Sequence, residues 1–350
     1  MSKRSVTIVD IAEAAGVSIA TVSNVLNRRN VPMTEETIRK VEQTAKELGY
    51  RRNAIAANLS RKKSYELGLI VPSFGAYYGR FAEAMEQAAH ANGYHMSVFS
   101  AGGMNPDMEK RHLEVLLSRR VDGLFCHGLA MSPESTRAIV GDGTPLVLFN
   151  GWGWPEDIAL GAVNLDFSGG CTEAVRHLAD QGCRSLFYLS RRRALAINEQ
   201  RLTGFREGVS LYAEPSQIPA AVLEITPSPD SLEQAAAQIK DKVAENAGPV
   251  GVLAFDDSLA LAFMSKLLAD GTRVPEHVKI VGINNDPFSA ACYPAITTLD
   301  IDYDRQAELA VRMMLDHLEA NRAEADSPLK TGDREIRIPM KLIPRMSSMV

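Results

Sequence analysis

The chain has 350 residues, 45% of them hydrophobic and 23% charged, with a formal net charge of −5 and a pI near 5.9. It is too long for one small headpiece and leaves a large core or two lobes to bury. No stretch approaches the ~18 consecutive apolar residues of a membrane helix. The N-terminal run MSKRSVTIVD has no apolar segment of secretory type, so the expected location is the cytoplasm.

Cys126, Cys171, Cys183 and Cys292 are widely spaced without a Cys-x-x-Cys, which indicates free, buried or half-buried thiols rather than a disulfide framework or a zinc site. The seven histidines are scattered without a metal-ligand spacing. No Gly-x-Gly-x-x-Gly after the first strand, phosphate-binding loop, Gly-x-Ser-x-Gly elbow, internal repeat or low-complexity tract is present. No metal, no cofactor and no catalysis are expected.

The modest net charge hides an asymmetry. Residues 1–63 carry 12 Lys and Arg against 6 Asp and Glu, and the remainder carries 26 against 37, so only the N-terminal part suits contact with phosphates. Within it, TIVDIAEAAGVSIATVSNVLNRR, residues 7–29, reads as two short helices joined at Gly16. Thr7 and Ser18 stand where each can accept a hydrogen bond from an unpaired N-terminal amide. Gly16 supplies a tight-turn or left-handed backbone at no steric cost. Ile8, Ile11, Ala12 and Ala15 share one face of the first helix, and Val22, Val25 and Leu26 one face of the second. Ile19, Ala20, Thr21, Ser23, Asn24 and Asn27 stay available for solvent or a ligand. This pattern predicts a DNA-binding helix-turn-helix whose short side chains suit a major groove.

Thr34 opens a third helix, in which Ile38, Val41, Ala45 and Leu48 recur at helical spacing until Gly49. Three helices therefore close a headpiece over residues 1–50. The following RRNAIAANLSRKKS is basic at both ends and too short to be a stable helix alone. Residues 51–63 are thus a hinge that folds when something organises it.

From residue 64 onward, apolar runs at 67–71, 95–99, 121–125, 145–149, 185–189, 250–254 and 279–283 alternate with helical patterns at 80–92, 107–118, 168–181, 199–211, 230–246, 257–269 and 303–319. Such alternation builds parallel sheets covered by helices, and the count suits two doubly wound lobes. The ligand crevice of open parallel sheets lies beyond the carboxyl ends of the strands. That rule selects residues 73–78, 126–129, 150–154, 190–193, 255–257 and 284–286. Phe74, Tyr77, Tyr78 and Trp152 can stack on a sugar or other ring, while Asn150, Asp256, Asn284 and Arg201 can fix hydroxyl groups. Ser73 and Arg191 lie in the same segments; Trp154 reads as packing.

The runs Val9-Asp10-Ile11-Ala12, Ala15-Gly16-Val17-Ser18, Thr21-Val22-Ser23, Leu26-Asn27, Leu48-Gly49-Tyr50 and Asn53 to Leu59 resemble the headpiece and hinge of LacI/GalR-family transcriptional repressors. The likeness continues through Leu67-Gly68-Leu69-Ile70-Val71-Pro72, Arg120-Val121-Asp122-Gly123-Leu124, His177-Leu178, Arg201-Leu202-Thr203-Gly204-Phe205, Val281-Gly282 and Thr297-Thr298-Leu299. The resemblance implies an all-α helix-turn-helix headpiece and an α/β periplasmic-binding-protein-like core of two doubly wound lobes. It places the crossings between lobes near 162–166, 290–294 and 324–330. Lobe one is then 64–163 with 294–325, and lobe two 164–293 with 326–350.

The implied function is a sequence-specific repressor whose operator affinity is set by a small, carbohydrate-like effector between the lobes. In the family the second helix reads bases through its first two residues and one a turn later, here Ile19, Ala20 and Asn24. Thr7, Ser18, Thr21, Ser23 and Asn27 are better placed for phosphates. Tyr50 and Asn53 fall in the matched run, and Leu59 matches the hinge leucine that wedges into the minor groove. Arg201 matches the family's effector-contacting arginine. One helix-turn-helix makes too few base contacts alone, so a homodimer on palindromic operator DNA is expected. Residues 331–350 look like a final strand and a short polar end rather than a tetramerising heptad tail.

Some positions depart from the family. Asn284 stands where relatives usually carry an Asp that works with the pocket arginine, and Asp256 where they often have Asn, which suggests exchanged hydrogen-bonding roles. Arg191-Arg192-Arg193 replaces a common Gly-Pro and favours a phosphorylated or acidic effector, unless it is a solvated loop. Arg52 replaces the usual hinge proline. A solute-binding protein of the periplasmic type shares the core, but the headpiece argues against it.

Overall fold

The computed structural model describes residues 6–26, 31–50, 63–103, 105–127, 131–141, 143–155, 157–191, 195–245, 248–323 and 335–349. Asn27, Arg52, Asn53, Leu59, Arg192 and Arg193 lie outside the described residues. The chain divides into two compact units, Met1–Ser64 and Tyr65–Val350.

In the first unit, α1 (Ile8–Ala15) begins at Thr7 with a capping box: the Thr7 amide donates to the Asp10 carboxylate at 2.7 Å, and the Asp10 amide to the Thr7 hydroxyl at 3.5 Å. Gly16 ends α1 at φ 63°, the left-handed backbone a helix stop of this kind requires. The axis then turns by 110° into α2 (Ile19–Leu26), where Ser18 Oγ accepts the Thr21 amide at 3.0 Å. α3 (Glu35–Glu47) starts at Thr34, whose hydroxyl accepts the Thr37 amide at 3.3 Å. The three helices bury Ile11, Ala12, Ala15, Val22, Val25, Val41 and Ala45 against each other, with Tyr50 packed on that core.

The second unit holds two six-stranded sheets. The first comprises β1 (Glu66–Val71), β2 (His95–Ser100), β3 (Gly123–His127), β4 (Leu146–Phe149), β5 (Gly161–Asp166) and β11 (Glu335–Pro339), in the order β11-β5-β4-β3-β1-β2, all parallel. The second comprises β6 (Ser185–Arg191), β7 (Ala220–Ile225), β8 (Val250–Ala254), β9 (Val278–Asn284), β10 (Thr297–Asp300) and β12 (Lys341–Ile343), in the order β12-β10-β9-β8-β6-β7, parallel except for β12. Helices cover these strands: α4 (Ala76–Ala91), α5 (Pro106–Ser118), α6 (Pro133–Val140), α7 (Phe167–Asp180), α8 (Leu195–Gly208), α9 (Pro229–Glu245), α10 (Asp257–Ala269), α11 (Pro287–Ala291) and α12 (Tyr303–Ala323). Central strands such as β3, β4, β8 and β9 are buried throughout, which is why they read as continuous apolar runs.

The pairing moves two of the expected crossings. β10 still pairs with β9, so the chain returns to the first lobe after Asp300, not near 290–294. β11 pairs with β5 of the first sheet and β12 with β10 of the second, which puts the last crossing beyond Pro339, not near 324–330. The tail therefore gives two strands, one to each sheet, where one was expected. TTLD and EIRIP are too short for periodicity to assign them to a lobe; their hydrogen-bonded neighbours decide. The first crossing, at Asp166, leads straight into α7, whose Gly169 amide donates to the Asp166 carboxylate at 2.9 Å.

α4 also begins four residues earlier than the sequence pattern places it, after Gly75, so Tyr77 and Tyr78 sit on its first turn rather than in a loop. Farther along, α7 and α8 approach closely: a Cβ at Gly204 would lie 2.1 Å from the Ser168 carbonyl oxygen, and one at Gly208 2.6 Å from Val175 Cβ. Gly204→Ala would gain about 1 kcal/mol of helix propensity, but the clash is with backbone and forces the helices apart. The expected net loss is roughly 2 kcal/mol or more, read as a lower urea midpoint; a midpoint equal to the parent's would sink this packing account.

Candidate functional site

The headpiece presents α2 by its first turn. Ile19 is 47% exposed, Ala20 is exposed, and Asn24 lies half-buried a turn later. Thr7, Ser18 and Thr21, expected near phosphates, also hold the helix ends, with the Ser18 and Thr21 hydroxyls 2.8 Å apart. Ser23 lies half-buried two residues after Thr21 on α2. Val9, 52% exposed on α1, is an apolar surface residue that sequence reading did not single out.

In the core, Arg201 projects from α8 and is only 4% exposed. Its guanidinium lies 4.4 Å from the Phe167 ring centre and 4.1 Å from that of Phe255, and one of its nitrogens donates to the Phe255 carbonyl. Its Nε has no partner among the described residues. Tyr77 and Tyr78, from the other lobe, both feel the Arg201 charge, which lowers their hydroxyl pKa values against a larger rise caused by burial. Tyr77 hydrogen-bonds to His127 Nε2 at 2.9 Å, and Asn150 Nδ2 reaches the same nitrogen at 3.3 Å. His127 is fully enclosed, and burial pushes its pKa down to about 3, so the ring is neutral. Asn150 adopts φ 53° and accepts the Leu165 amide at 3.2 Å, which makes it part of the scaffold as well as the crevice wall.

Other expected residues are used differently. Asp256 caps α10, accepting the Leu259 amide at 2.7 Å, and pairs with Arg191 at 3.4 Å. The suggested exchange of roles between Asn284 and Asp256 around Arg201 is therefore not what the structure shows: Asp256 serves Arg191 and a helix end. Trp152 packs half-buried with its edge towards Phe167, ring centres 5.9 Å apart. Ser73 accepts the Gly75 amide at 3.4 Å, and Phe74 stands 61% exposed.

The crevice contains groups that sequence reading missed. Asp286 is 2% exposed, and its Oδ1 has no partner among the described residues; the same holds for Oδ1 of the expected Asn284, 7% exposed. Arg80 on α4 donates to the Asn285 carbonyl at 3.0 Å, a bond between lobes, and lies 4.5 Å from the ring centre of Tyr303. Tyr303 is buried with an unpartnered hydroxyl, 5.5 Å from Tyr77 between ring centres. Asp286 falls in a segment the strand-end rule selects, but a carboxylate in a loop carries no sign of burial. Arg80 and Tyr303 stand at or near helix starts, where sequence alone shows only a helix beginning.

Asp257 fastens this end of the site. Its carboxylate accepts the Thr298 hydroxyl at 2.6 Å and the Asp286 amide at 2.8 Å. A Cβ on Gly282 would lie 2.1 Å from Asp257 Oδ1, so the glycine is what lets the carboxylate in.

A headpiece with an exposed reading helix, carried on the same chain as a two-lobe core with a buried arginine in its crevice, defines a ligand-responsive DNA-binding regulator. Residues 7–53 match the model of the bacterial regulatory proteins, lacI family, and residues 175–348 that of the periplasmic binding protein-like domain. Catabolite control protein A of Staphylococcus epidermidis is 30% identical over 298 residues, 84% of this chain and 87% of that protein. The lac repressor dimer bound to operator and the anti-inducer ONPF has the same fold, with a TM-score of 0.80 at 24% identity over 99% of this chain and 100% of that one. A periplasmic binding protein/LacI transcriptional regulator from Alkaliphilus metalliredigens, complexed with D-xylulofuranose, gives 0.67 at 22% identity over 82% of this chain and 100% of that one. The chain belongs to the LacI family. It is a DNA-binding transcriptional regulator with an effector-binding core. No single helix among the described residues is long and apolar enough to cross a membrane.

Burial raises the Asp257 carboxyl from its ordinary 3.8 to about 6, with the Thr298 and Asp286 hydrogen bonds opposing the rise. A carboxyl whose folded value exceeds its unfolded value adds stability below the unfolded value and loses it as pH rises through the folded one. The parent should therefore gain stability relative to Asp257→Asn as pH falls from about 7 to about 4, measured as the difference in urea midpoint. A difference that is flat across that range, or grows towards neutral pH, would refute the assignment.

Proposed function

We propose that this regulator is a repressor that binds palindromic operator DNA as a homodimer in the cytoplasm and is controlled by a sugar or sugar derivative held between the lobes. It acts by binding rather than by turnover. The observation that carries the effector reading is the crevice itself: a buried arginine between two aromatic rings, tyrosines from the facing lobe, and several buried polar atoms without partners. Buried polar groups are otherwise satisfied almost everywhere in proteins, and flat apolar faces beside fixed donors and acceptors suit a sugar ring. The D-xylulofuranose complex of a relative with this fold is in keeping with it.

On the DNA side, Ile19 and Ala20 make apolar contacts, such as with a thymine methyl, and Asn24 pairs with an adenine edge. Thr7, Ser18, Thr21, Ser23, Asn27, Tyr50 and Asn53 position the headpiece on the backbone, and Leu59 wedges the minor groove open at the operator centre. Effector binding changes operator affinity through the lobes, with a coupling of roughly 1 to 3 kcal/mol, about 5- to 150-fold.

Selection from a random duplex pool should return a palindrome, and Asn24→Ala should weaken binding to it by about 1 to 3 kcal/mol while relaxing preference at one position in each half-site. Binding that is equally tight to every duplex would defeat the operator reading. Adding the effector sugar should change operator affinity for the parent and leave Arg201→Lys unresponsive, since an ammonium cannot fill the sandwich between Phe167 and Phe255; a full response in that variant would remove Arg201 from the site.

A further inference from the structure

The motif Arg120-Val121-Asp122-Gly123 stands at the amino ends of β1 and β3, opposite the crevice, where the chain passes from the first compact unit, Met1–Ser64, into the second at Tyr65. Tyr65 holds φ 55°, in the left-handed region that a bulky residue adopts only when its surroundings impose it. Hydrogen bonds from the starts of β2 and β3 do so. The Tyr65 amide donates to the Asp122 carboxylate at 2.9 Å, and the Tyr65 carbonyl accepts the His95 amide at 2.9 Å. The Asp122 amide in turn donates to the Glu66 carbonyl at 2.8 Å, so one residue grips the chain at two successive positions. Arg120, also at φ 55°, turns the chain out of α5 and brings Asp122 to this place. The Tyr65 ring lies 5.7 Å from that of Tyr94, which is only 4% exposed.

The backbone at Tyr65 sets the course of the chain before it. Relaxing φ to the ordinary negative range is a turn of roughly 100° or more about one bond, so the held and the relaxed conformations send the hinge segment in different directions. A palindrome requires two headpieces at a set spacing. Once one headpiece is seated, the other binds at an effective concentration that falls as its tether explores more directions. A single half-site demands no such placement.

We propose that Asp122 is a positioning residue for operator binding: it clamps Tyr65 in the left-handed conformation and so fixes the direction in which the headpiece-bearing segment leaves the core. This rests on the reading of the protein as a homodimer on palindromic DNA and extends it to a residue outside both binding surfaces. Gel-shift titration of the full-length protein with the palindrome selected by the parent, and with a duplex carrying one half-site, tests it. Asp122→Ala should weaken binding to the palindrome about tenfold and leave the weaker half-site affinity as in the parent, a split that a general loss of folded protein would not produce. Asp122→Asn keeps an acceptor oxygen for the Tyr65 amide and should restore most of the palindrome affinity. Tyr65→Val, β-branched and strained at positive φ, should match Asp122→Ala, whereas Tyr65→Asn, which tolerates that region, should stay near the parent. A palindrome held equally tightly by the parent, Asp122→Ala and Tyr65→Val, or a half-site affinity that falls in the same proportion, would overturn the clamp and leave the homodimer reading standing. A parent that binds the half-site as tightly as the palindrome would overturn that reading and this proposal with it.

Discussion

The burial of Arg201 without a carboxylate partner among the described residues constrains the effector-binding core more than any other single feature. Removing an ion from water costs several kcal/mol even after relaxation, and here the offset comes from two aromatic faces and one carbonyl. Each cation–π contact contributes about 2 kcal/mol when desolvated, so the sandwich carries most of the compensation. Its parts come from three elements: Phe167 opens α7, Phe255 follows β8, and Arg201 rides on α8. They converge only if α7 and α8 are close. Gly204 stands three residues after Arg201, on the same face of the helix, and its missing side chain permits that approach. Phe205, one position further, stacks on Tyr188 with ring centres 5.6 Å apart and fixes the rotation of α8 over the sheet. The motif Arg-Leu-x-Gly-Phe is thus a packing solution as much as a binding one.

What the sequence revealed follows the reach of its signals. Local chemistry was legible: the caps at Thr7, Ser18 and Thr34, the left-handed stop at Gly16 and the buried faces of α1 and α2 depend on neighbours within a turn, and the structure has them. Most of the buried strands were legible because burial on both faces leaves continuous apolar runs, whereas β5, whose Asn164 and Asp166 interrupt the run, was not among the expected strands. The short strands β10 and β11 were assigned to the wrong lobes, because their identity lies in a partner more than ten residues away in the chain. The same limit applied to the site. Arg201 stood out through its motif, and the tyrosines through their place after β1. Asp286, Arg80 and Tyr303 did not, since burial and the contact across the lobes are what set them apart. Asp256 was expected in the crevice, and its bond to the Leu259 amide ties it to a helix end.

The loop of Asn284 to Asp286 links strain and lobe geometry in one place. Two non-glycine residues in the left-handed half of the map cost of order 1 to 3 kcal/mol each, and the bonds from Asp257, Thr298, Asp300 and Arg345 within lobe two overdetermine them. Arg80 adds a bond to this loop from lobe one. A neutral hydrogen bond contributes about 0.5 to 1.5 kcal/mol net, and a charged donor somewhat more. Reversing a two-state equilibrium from 1:99 to 99:1 needs about 5.5 kcal/mol of differential affinity. The Arg80 contact can therefore bias the angle between lobes but cannot set it. The remainder has to come from contacts that span both lobes, because only contacts whose strength depends on the separation of the lobes shift the balance between their arrangements.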